Sequence, residues 1–335
     1  MIWSIQYLRF FACLAVVVLH ITKKAYFNND IDFYFYLGDT GVDIFFIISG
    51  FIMMHISRSN MSAGKFLVDR IVRIYPIYLF ILVPYLAVFL LHPELVNSHN
   101  PIKPSIFKSI TLLPFVDGSL LNMVSWTLMY ELYFYLIFTL SISLYGKVNK
   151  ILSTSVFIIA LLSFGLIFDI SFINSTIVLE FLIGMVFYKI FTKRMLLNSY
   201  MSLFLIILGF AIFYMLPREE MGVNGFSRLL LWGGPVSLIF IGVLGLEDKI
   251  KNNKILLFLG NTSYSTYLSH ILVINAVYLG FKKYTFFDVG PLLIIVMATV
   301  GSFILGAIIH KYIELRLVSF FKMKINRLTI VKSIG

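Results

Sequence analysis

The sequence predicts an all-α, polytopic integral membrane protein with about ten transmembrane helices and both termini in the cytoplasm. Of its 335 residues, 60% are hydrophobic and 13% are charged, whereas soluble globular chains are roughly 45–50% apolar and about 25% charged. Long uncharged runs recur along the whole length, and each is long enough to cross the hydrocarbon core of a bilayer. The runs are continuously apolar rather than alternating, which favours helices over β-barrel strands.

The apolar runs define the expected membrane spans. They lie at about 6–22, 39–56, 75–91, 124–145, 151–168, 174–190, 200–216, 229–246, 263–281 and 290–310. The segment 105–122 is also apolar, but Pro114 and Gly118 interrupt it, so we expect a re-entrant or surface-lying piece instead of a full span. The first run lacks a small-residue cleavage site and is expected to remain as a membrane helix. Cys13 is the one cysteine, which excludes an intramolecular disulfide and a zinc cluster, so no metal is expected.

Membrane topology explains the net charge of +11. With the N-terminus in the cytoplasm, 19 of the 27 basic residues fall in cytoplasmic segments and 8 in outer segments, as the positive-inside rule requires. This distribution excludes nucleic acid, the partner that such a charge suggests in a soluble protein. Residues 1–316 are expected to form one membrane domain. Residues 317–335 are expected to form a basic cytoplasmic tail, a surface helix on the inner leaflet.

Arg9 and His20 bracket the uncharged run "LRFFACLAVVVLHI" in the first expected helix. Their separation of eleven residues is close to three helical turns, so both project from one helix face, about 16 Å apart along the axis. Each has an ordinary explanation, Arg9 as an interfacial anchor and His20 as a snorkelling residue at the helix end. Ionisable groups at membrane depth also mark functional sites, so that alternative stays open at this point.

The second expected helix contains "GVDIFFIISGFIMM", with Asp43 at about the depth of His20. A carboxylate there would fix the tautomer of the imidazole and stabilise its protonated form. Ser49 and Gly50 follow in the same helix. Gly41 and Gly50 would allow close helix packing, or Ser49 and Gly50 would break the helix and expose backbone N–H groups for an oxyanion.

The stretch "DRIVRIYPIY" carries Arg70 and Arg73 on one face of a short cytoplasmic helix, which Pro76 is expected to interrupt. Paired guanidinium groups bind phosphates through charge-assisted, bidentate hydrogen bonds. Periodicity alone favours the simpler explanation, which is routine cytoplasmic charge beside a membrane span.

Three further residues stand out because they lie in apolar segments. Glu131 lies inside the otherwise uncharged "SWTLMYELYFYLIF", where a carboxylate is costly unless it is protonated or paired, and this favours a functional role. Trp126 in the same stretch is typical of the interfacial aromatic belt. His270 lies mid-span in "LGNTSYSTYLSHILV", where a hydrogen-bonded core residue is the commoner outcome.

Together these stretches resemble the acyltransferase-3 family of membrane O-acyltransferases. The similar motifs occur in the family's order from residue 5 to about 316, and they are "IQYLRFFACLAVVVLH", "GVDIFFIISGFIM", "RIVRIYP", "WTLMYELYFY", "LGNTSYSTYLSH" and "YIELR". The first two are most similar to the branch that modifies exopolysaccharides and lipopolysaccharide O-antigen. Thr127 stands where the family usually has Ser, and Leu315 and Arg316 stand where it often has Arg-Pro. Neither departure touches the expected chemistry.

The resemblance implies transfer of an acyl group, usually acetyl, from acyl-coenzyme A to a hydroxyl of a sugar acceptor. His20 would be the catalytic residue, and Glu131 would complete the polar centre. The acyl donor would be bound by Arg9, Arg70 and Arg73. The expected partners are acetyl-CoA as co-substrate, a sugar or lipid-linked saccharide, and the lipid of a bacterial inner membrane.

The resemblance and the polar positions together suggest a mechanism. His20 would act as general base on the acceptor hydroxyl while Asp43 or Glu131 orients the imidazole. A transient acyl-histidine is the alternative, and the sequence does not separate the two. The candidate site-lining residues are Ser49, Trp126 and His270.

A different class of function also uses ionisable groups inside a membrane. A proton-coupled transporter, or a flippase for a glycan intermediate, would need them along its path. Such transporters often show two related halves with matching broken helices. The sequence has no such symmetry, and its polar membrane residues concentrate in the first 131 positions, which favours the acyltransferase.

Overall fold

The computed structural model describes residues 2–57, 61–96, 101–145, 149–193, 197–216, 225–283 and 290–334. Within these ranges the chain is helical, and its single β-type contact is an isolated bridge between Pro104 and Ser119. The helices are α1 (Trp3–Phe27), α2 (Thr40–Ile56), α3 (Ala63–Leu91), α4 (Ile106–Thr111), α5 (Trp126–Tyr145), α6 (Lys150–Ile167), α7 (Val178–Thr192), α8 (Ser199–Met215), α9 (Phe226–Arg228), α10 (Gly234–Gly245), α11 (Lys254–Lys283), α12 (Pro291–Ile309) and α13 (Leu315–Ile334). The predicted all-α class is confirmed.

Seven helical segments in the described part of the chain are long and apolar enough to cross a membrane. They are Trp3–Phe27, Tyr36–Ile56, Ala63–Leu91, Met123–Leu144, Lys150–Ile167, Phe226–Gly245 and Pro291–Ile325. The polytopic character is therefore confirmed, but the expected count of ten is not. Helices α7 and α8 have 15 and 17 residues, fewer than the roughly 20 that a full span needs. Helix α11 has 30 residues but carries the polar run 261–265.

Helix α1 is fastened to its neighbours at its first turn. The carboxylate of Glu247 accepts hydrogen bonds from the backbone N–H groups of Trp3 and Ser4, each at 2.8 Å. The first N–H groups of a helix have no partner within it, so this carboxylate caps α1 and favours its dipole. Nearby, a Cβ on Gly260 would lie 2.2 Å from the carbonyl oxygen of Gln6. Only glycine at 260 allows α11 to approach α1 this closely.

Helices α2 and α7 meet backbone to backbone through a reciprocal pair of glycines. A Cβ on Gly50 would lie 1.9 Å from the Phe181 carbonyl oxygen, and one on Gly184 would lie 1.9 Å from the Ile47 carbonyl oxygen. Small residues allow such close approach between membrane helices. Helix α2 continues through Ser49 and Gly50 without a break. Of the two explanations for this dipeptide, close packing fits, and the exposed N–H groups of a broken helix do not.

The segment 105–122 contains a short helix in place of a span. Helix α4 is followed by Leu112, whose φ of 56° is left-handed, and Gly118 also has a positive φ of 98°. The chain then returns on itself, with the Ser105 N–H donating to the Ser119 carbonyl at 2.9 Å. The expectation that this segment does not form a full span is met.

Candidate functional site

A cavity of about 250 Å³ lies between α1, α2, α3, α5 and α11. Three guanidinium groups reach it, from Arg9 on α1 and from Arg70 and Arg73 on α3. We call it the arginine cavity. Its other polar lining residues are Ser49, Thr127, Glu131, Tyr135, Ser263, Tyr264 and Tyr267. Five of the predicted site residues therefore meet here, although they come from four different helices.

Helix α3 brings two of these arginines together. It begins at Ala63 and runs without interruption through Pro76 and Pro84, so the expected break at Pro76 is absent. The i, i+3 spacing of Arg70 and Arg73 places both on one face of this continuous helix, as periodicity predicts. Proline at 76 removes one hydrogen-bond donor from the helix, but the long apolar segment around it stays helical because its neighbours pack against it.

Arg73 is ion-paired with Glu314, which lies in the π-helical turn between α12 and α13. Glu314 is fully buried. It also accepts a hydrogen bond from Ser265 Oγ at 2.6 Å and lies 2.8 Å from Nδ1 of His310. Sequence reasoning missed this carboxylate as a site residue. The available signal was an acidic residue four positions after a histidine in an apolar segment, a spacing that places both on one helix face.

Glu131 faces the arginine cavity with hydroxyl groups as its partners. Tyr135, one helical turn later on α5, donates a hydrogen bond to Oε1, and Ser49 Oγ donates to the same oxygen at 3.4 Å. These contacts join α2 to α5 at the cavity. They also satisfy a carboxylate that would otherwise be costly at membrane depth.

A second cavity, of about 460 Å³, lies between α1, α3 and α11. His20 lines it from the far half of α1, and we call it the histidine cavity. Its other polar residues are Lys24, Asn28, Tyr85, Asn275 and Tyr278, and most of the remaining lining is aliphatic. The shared helix face of Arg9 and His20 therefore serves two cavities, each near one end of α1.

The backbone orients the His20 imidazole. Its Nδ1 lies 2.9 Å from the carbonyl oxygen of Val16. A carbonyl can only accept, so Nδ1 carries a proton, and the neutral ring keeps its lone pair on Nε2. The expected contact with Asp43 or Glu131 is absent, since no carboxylate pairs with His20 among the residues described.

His270 lies against His20. Their ring centroids are 5.0 Å apart with the planes at 64°. Nδ1 of His270 lies 2.6 Å from the Tyr267 carbonyl oxygen. Its Nε2 is buried and has no hydrogen-bond partner in the described ranges. Two imidazoles therefore adjoin one another, each with its Nδ1 held by a backbone carbonyl one turn earlier on its own helix.

A hydrogen-bonded wall formed by Val124, Thr127 and Tyr267 connects the linings of the two cavities. The Tyr267 hydroxyl donates to the Val124 carbonyl at 3.1 Å and lies 3.1 Å from Thr127 Oγ1. Thr127 and Tyr267 line the arginine cavity, whereas Val124 lines the histidine cavity. The carbonyl of Tyr267 also holds His270. The wall and the histidine pair therefore share Tyr267.

Asp43 belongs to a different buried cluster. Both of its carboxylate oxygens accept from Arg228 Nη2, at 3.2 and 3.0 Å, and the guanidinium carbon of Arg228 lies 4.7 Å from the centroid of a Trp232 ring. This pair joins α2 to the α9–α10 region, so Asp43 does not reach His20. Helix periodicity explains the difference: Asp43 and Ser49 are six residues apart, and they face different sides of α2.

Trp126 lines neither cavity. Its indole packs against Phe46 and Tyr130, with ring centroids 6.4 and 5.9 Å away, and about a third of the residue is exposed. Phe46 does line the arginine cavity. Trp126 therefore supports a lining residue from behind, and its partial exposure fits the interfacial belt position suggested by the sequence.

The sequence is similar to a known protein family over most of its length. A family model described as "Acyltransferase domain" (Acyl_transf_3) matches residues 2–311. The exopolysaccharide production protein ExoZ of Rhizobium meliloti (strain 1021) is 31% identical over 259 residues, which cover 73% of this chain and 79% of that protein. The acyltransferase MdmB of Streptomyces mycarofaciens is 30% identical over 157 residues, covering 43% of this chain and 40% of that protein. No solved structure matches.

Proposed function

Because the chain belongs to the Acyl_transf_3 family of acyltransferase domains, we propose that it transfers an acetyl group from acetyl-CoA to a sugar hydroxyl. The sugar belongs to a surface polysaccharide or to its lipid-linked precursor, and the protein works in a bacterial inner membrane. The observation that carries the proposal is a pair of cavities along α1, one lined by Arg9, Arg70 and Arg73 and the other lined by His20.

The arginine cavity suits the donor. Coenzyme A is a polyanion, and guanidinium groups bind phosphate through bidentate, charge-assisted hydrogen bonds. Arg73 is paired with Glu314, while Arg70 has a buried Nε without a hydrogen-bond partner among the described atoms. Arg9 contacts Gln6 at 3.3 Å. Arg9 and Arg70 therefore have more free hydrogen-bonding capacity for phosphate than Arg73.

The thin pantetheine arm of the donor would span the distance between Arg9 and His20 along α1. The two residues are separated by about 16 Å along the helix axis. Phosphates held at the arginines would place the thioester deeper in the protein, towards the wall of Val124, Thr127 and Tyr267. The arm would cross at this wall, because it is there that the lining residues of the two cavities make contact.

His20 supplies the base. Its Nε2 takes the proton of the acceptor hydroxyl as the oxygen attacks the thioester carbonyl. The carbon–sulfur bond then breaks, and the leaving thiolate receives the proton from the imidazolium to give the free thiol of coenzyme A. The products are the O-acetyl sugar and coenzyme A. An acyl-histidine route would use the same nitrogen as nucleophile.

The experiment compares surface polysaccharide from four strains by mass spectrometry: intact gene, deletion, His20→Ala and His92→Ala. His92 is exposed at the end of α3 and lines neither cavity, so its variant controls for loss of an imidazole elsewhere. We expect acetyl groups to disappear in the deletion and in His20→Ala, and to remain in His92→Ala. Acetylation that survives in His20→Ala would refute the proposed mechanism. Arrest of polysaccharide export would favour a transporter.

A further inference from the structure

Tyr85 carries a hydroxyl group for which the described part of the chain supplies no hydrogen-bond partner. The residue is 6% exposed and lines the histidine cavity from α3. Its hydroxyl is buried and has no hydrogen-bond partner among the described atoms. Burying a hydroxyl without a partner is unfavourable, and native structures rarely retain one unless a ligand or water completes it.

A second tyrosine on the same face of α3 has a hydroxyl group that is hydrogen-bonded within the protein. Tyr78 precedes Tyr85 by seven residues, two helical turns, and so lies on nearly the same face. Its hydroxyl donates to the Ser109 carbonyl and lies 3.5 Å from Ser125 Oγ. The protein therefore satisfies the first hydroxyl with its own groups, whereas the second is unpaired among the described atoms and belongs to a residue that lines the histidine cavity.

The composition of the histidine cavity suits one class of ligand. Its volume of about 460 Å³ lies within the roughly 300–1,000 Å³ of small-molecule sites. Its walls are mainly aliphatic, and the polar groups beside His20 are those of Lys24, Asn28, Tyr85, Asn275 and Tyr278. A sugar ring has apolar C–H faces, which suit aliphatic walls, and hydroxyl groups that both donate and accept hydrogen bonds. A tyrosine hydroxyl can likewise donate to a sugar hydroxyl or accept from it.

We propose that the histidine cavity binds the acceptor sugar and that Tyr85 holds it by a hydrogen bond to a ring hydroxyl. The neighbouring hydroxyl of the sugar is then presented to Nε2 of His20. Tyr85 comes from α3 and His20 from α1, so a sugar bound to both is positioned by two separate helices. Tyr85 is thus a specificity-determining residue for the acceptor. This inference rests on the proposed function, since it takes the acceptor to be a sugar.

The test compares Tyr85→Phe with Tyr133→Phe in purified protein reconstituted in lipid nanodiscs. Tyr133 on α5 also has a buried hydroxyl without a hydrogen-bond partner in the described ranges, but it lines neither cavity. One substrate is acetyl-CoA. The other is the unacetylated saccharide isolated from the deletion strain, used in its lipid-linked form and in its free form. Initial rates give a separate KM for each substrate. Thermal unfolding of both variants reports whether either substitution disturbs the fold.

We expect Tyr85→Phe to raise the KM for the saccharide about tenfold, the effect of losing one hydrogen bond to a ligand. The KM for acetyl-CoA stays unchanged, and Tyr133→Phe behaves as wild type for both substrates. An unchanged saccharide KM in Tyr85→Phe would overturn the assignment, and so would a rise confined to acetyl-CoA. If the unmodified protein transfers no acetyl group to either saccharide, it is the proposed function that fails.

Discussion

The imidazole rings of His20 and His270 meet edge to face, with centroids 5.0 Å apart. Each ring has its Nδ1 beside a backbone carbonyl, that of Val16 for His20 and that of Tyr267 for His270. In hydrolases that use a Ser-His-Asp triad, a carboxylate orients the base. Here a backbone carbonyl orients His20, and the nearest titratable ring is a second imidazole. We therefore propose that His270 positions His20, the base of the proposed reaction.

His270→Asn tests this positioning role. The asparagine amide replaces the Nδ1 donor to the Tyr267 carbonyl but supplies no ring against His20 and no Nε2. We expect kcat to fall about tenfold or more, because a displaced base loses part of the roughly 10²–10⁴-fold that general-base catalysis contributes. Both KM values should stay near wild type. Steady-state kinetics in nanodiscs measure these values, and an unchanged kcat would reduce His270 to a packing residue.

Helix periodicity correctly predicted which arginines share a helix face. It placed Arg70 and Arg73 on one face, and the structure brings both into one cavity. It also placed Arg9 and His20 on one face, but angle alone cannot show that side chains 16 Å apart belong to separate cavities. That separation depends on Thr127 and Tyr267, which α5 and α11 bring together from positions 140 residues apart.

Long-range partners were the part that sequence reasoning could not supply. Asp43 pairs with Arg228, which lies 185 residues later, and Arg73 pairs with Glu314, which lies 241 residues later. A single sequence contains the charges but not their pairing, since pairing depends on which helices become neighbours. Depth in the membrane suggested His20 as the partner of Asp43. The rotation of α2 about its axis instead directs Asp43 towards Arg228.

Tyr267 should limit the length of the acyl group that crosses between the cavities. Replacing its ring in Tyr267→Ala leaves space where the wall now stands. We expect the ratio of kcat/KM for propionyl-CoA to that for acetyl-CoA to rise about fourfold, the effect of accommodating one additional methylene. Thr127→Val is the matched control, since it removes a wall hydroxyl and keeps the volume. If both variants shift the ratio equally, the lost hydrogen bonds explain the change better than the lost ring.

Asp43 should affect stability far more than catalysis. Asp43→Asn removes the carboxylate that accepts both hydrogen bonds from Arg228, and leaves the buried Glu180 as the remaining carboxylate of this cluster. Breaking one side of a buried ion pair costs about 3 kcal/mol or more, so we expect a clear fall in Tm. The double variant Asp43→Asn/Arg228→Gln should recover part of the loss. In the folded fraction kcat should stay near wild type, and a large fall in kcat without a fall in Tm would restore an orienting role towards His20.

Gly50→Ala should destabilise the protein even though alanine is the better helix former. The gain in helix propensity is about 1 kcal/mol, but the new methyl carbon would lie 1.9 Å from the Phe181 carbonyl oxygen. Helices α2 and α7 must then separate, and the adjacent Ser49 moves with α2, which weakens its 3.4 Å contact with Glu131. We expect a lower Tm together with lower activity. Gly64→Ala is the control, because it makes the same substitution in a helix where a Cβ meets nothing within 4 Å, so it should leave activity unchanged and Tm unchanged or slightly higher. Equal Tm values for the two variants would contradict the backbone contact between α2 and α7.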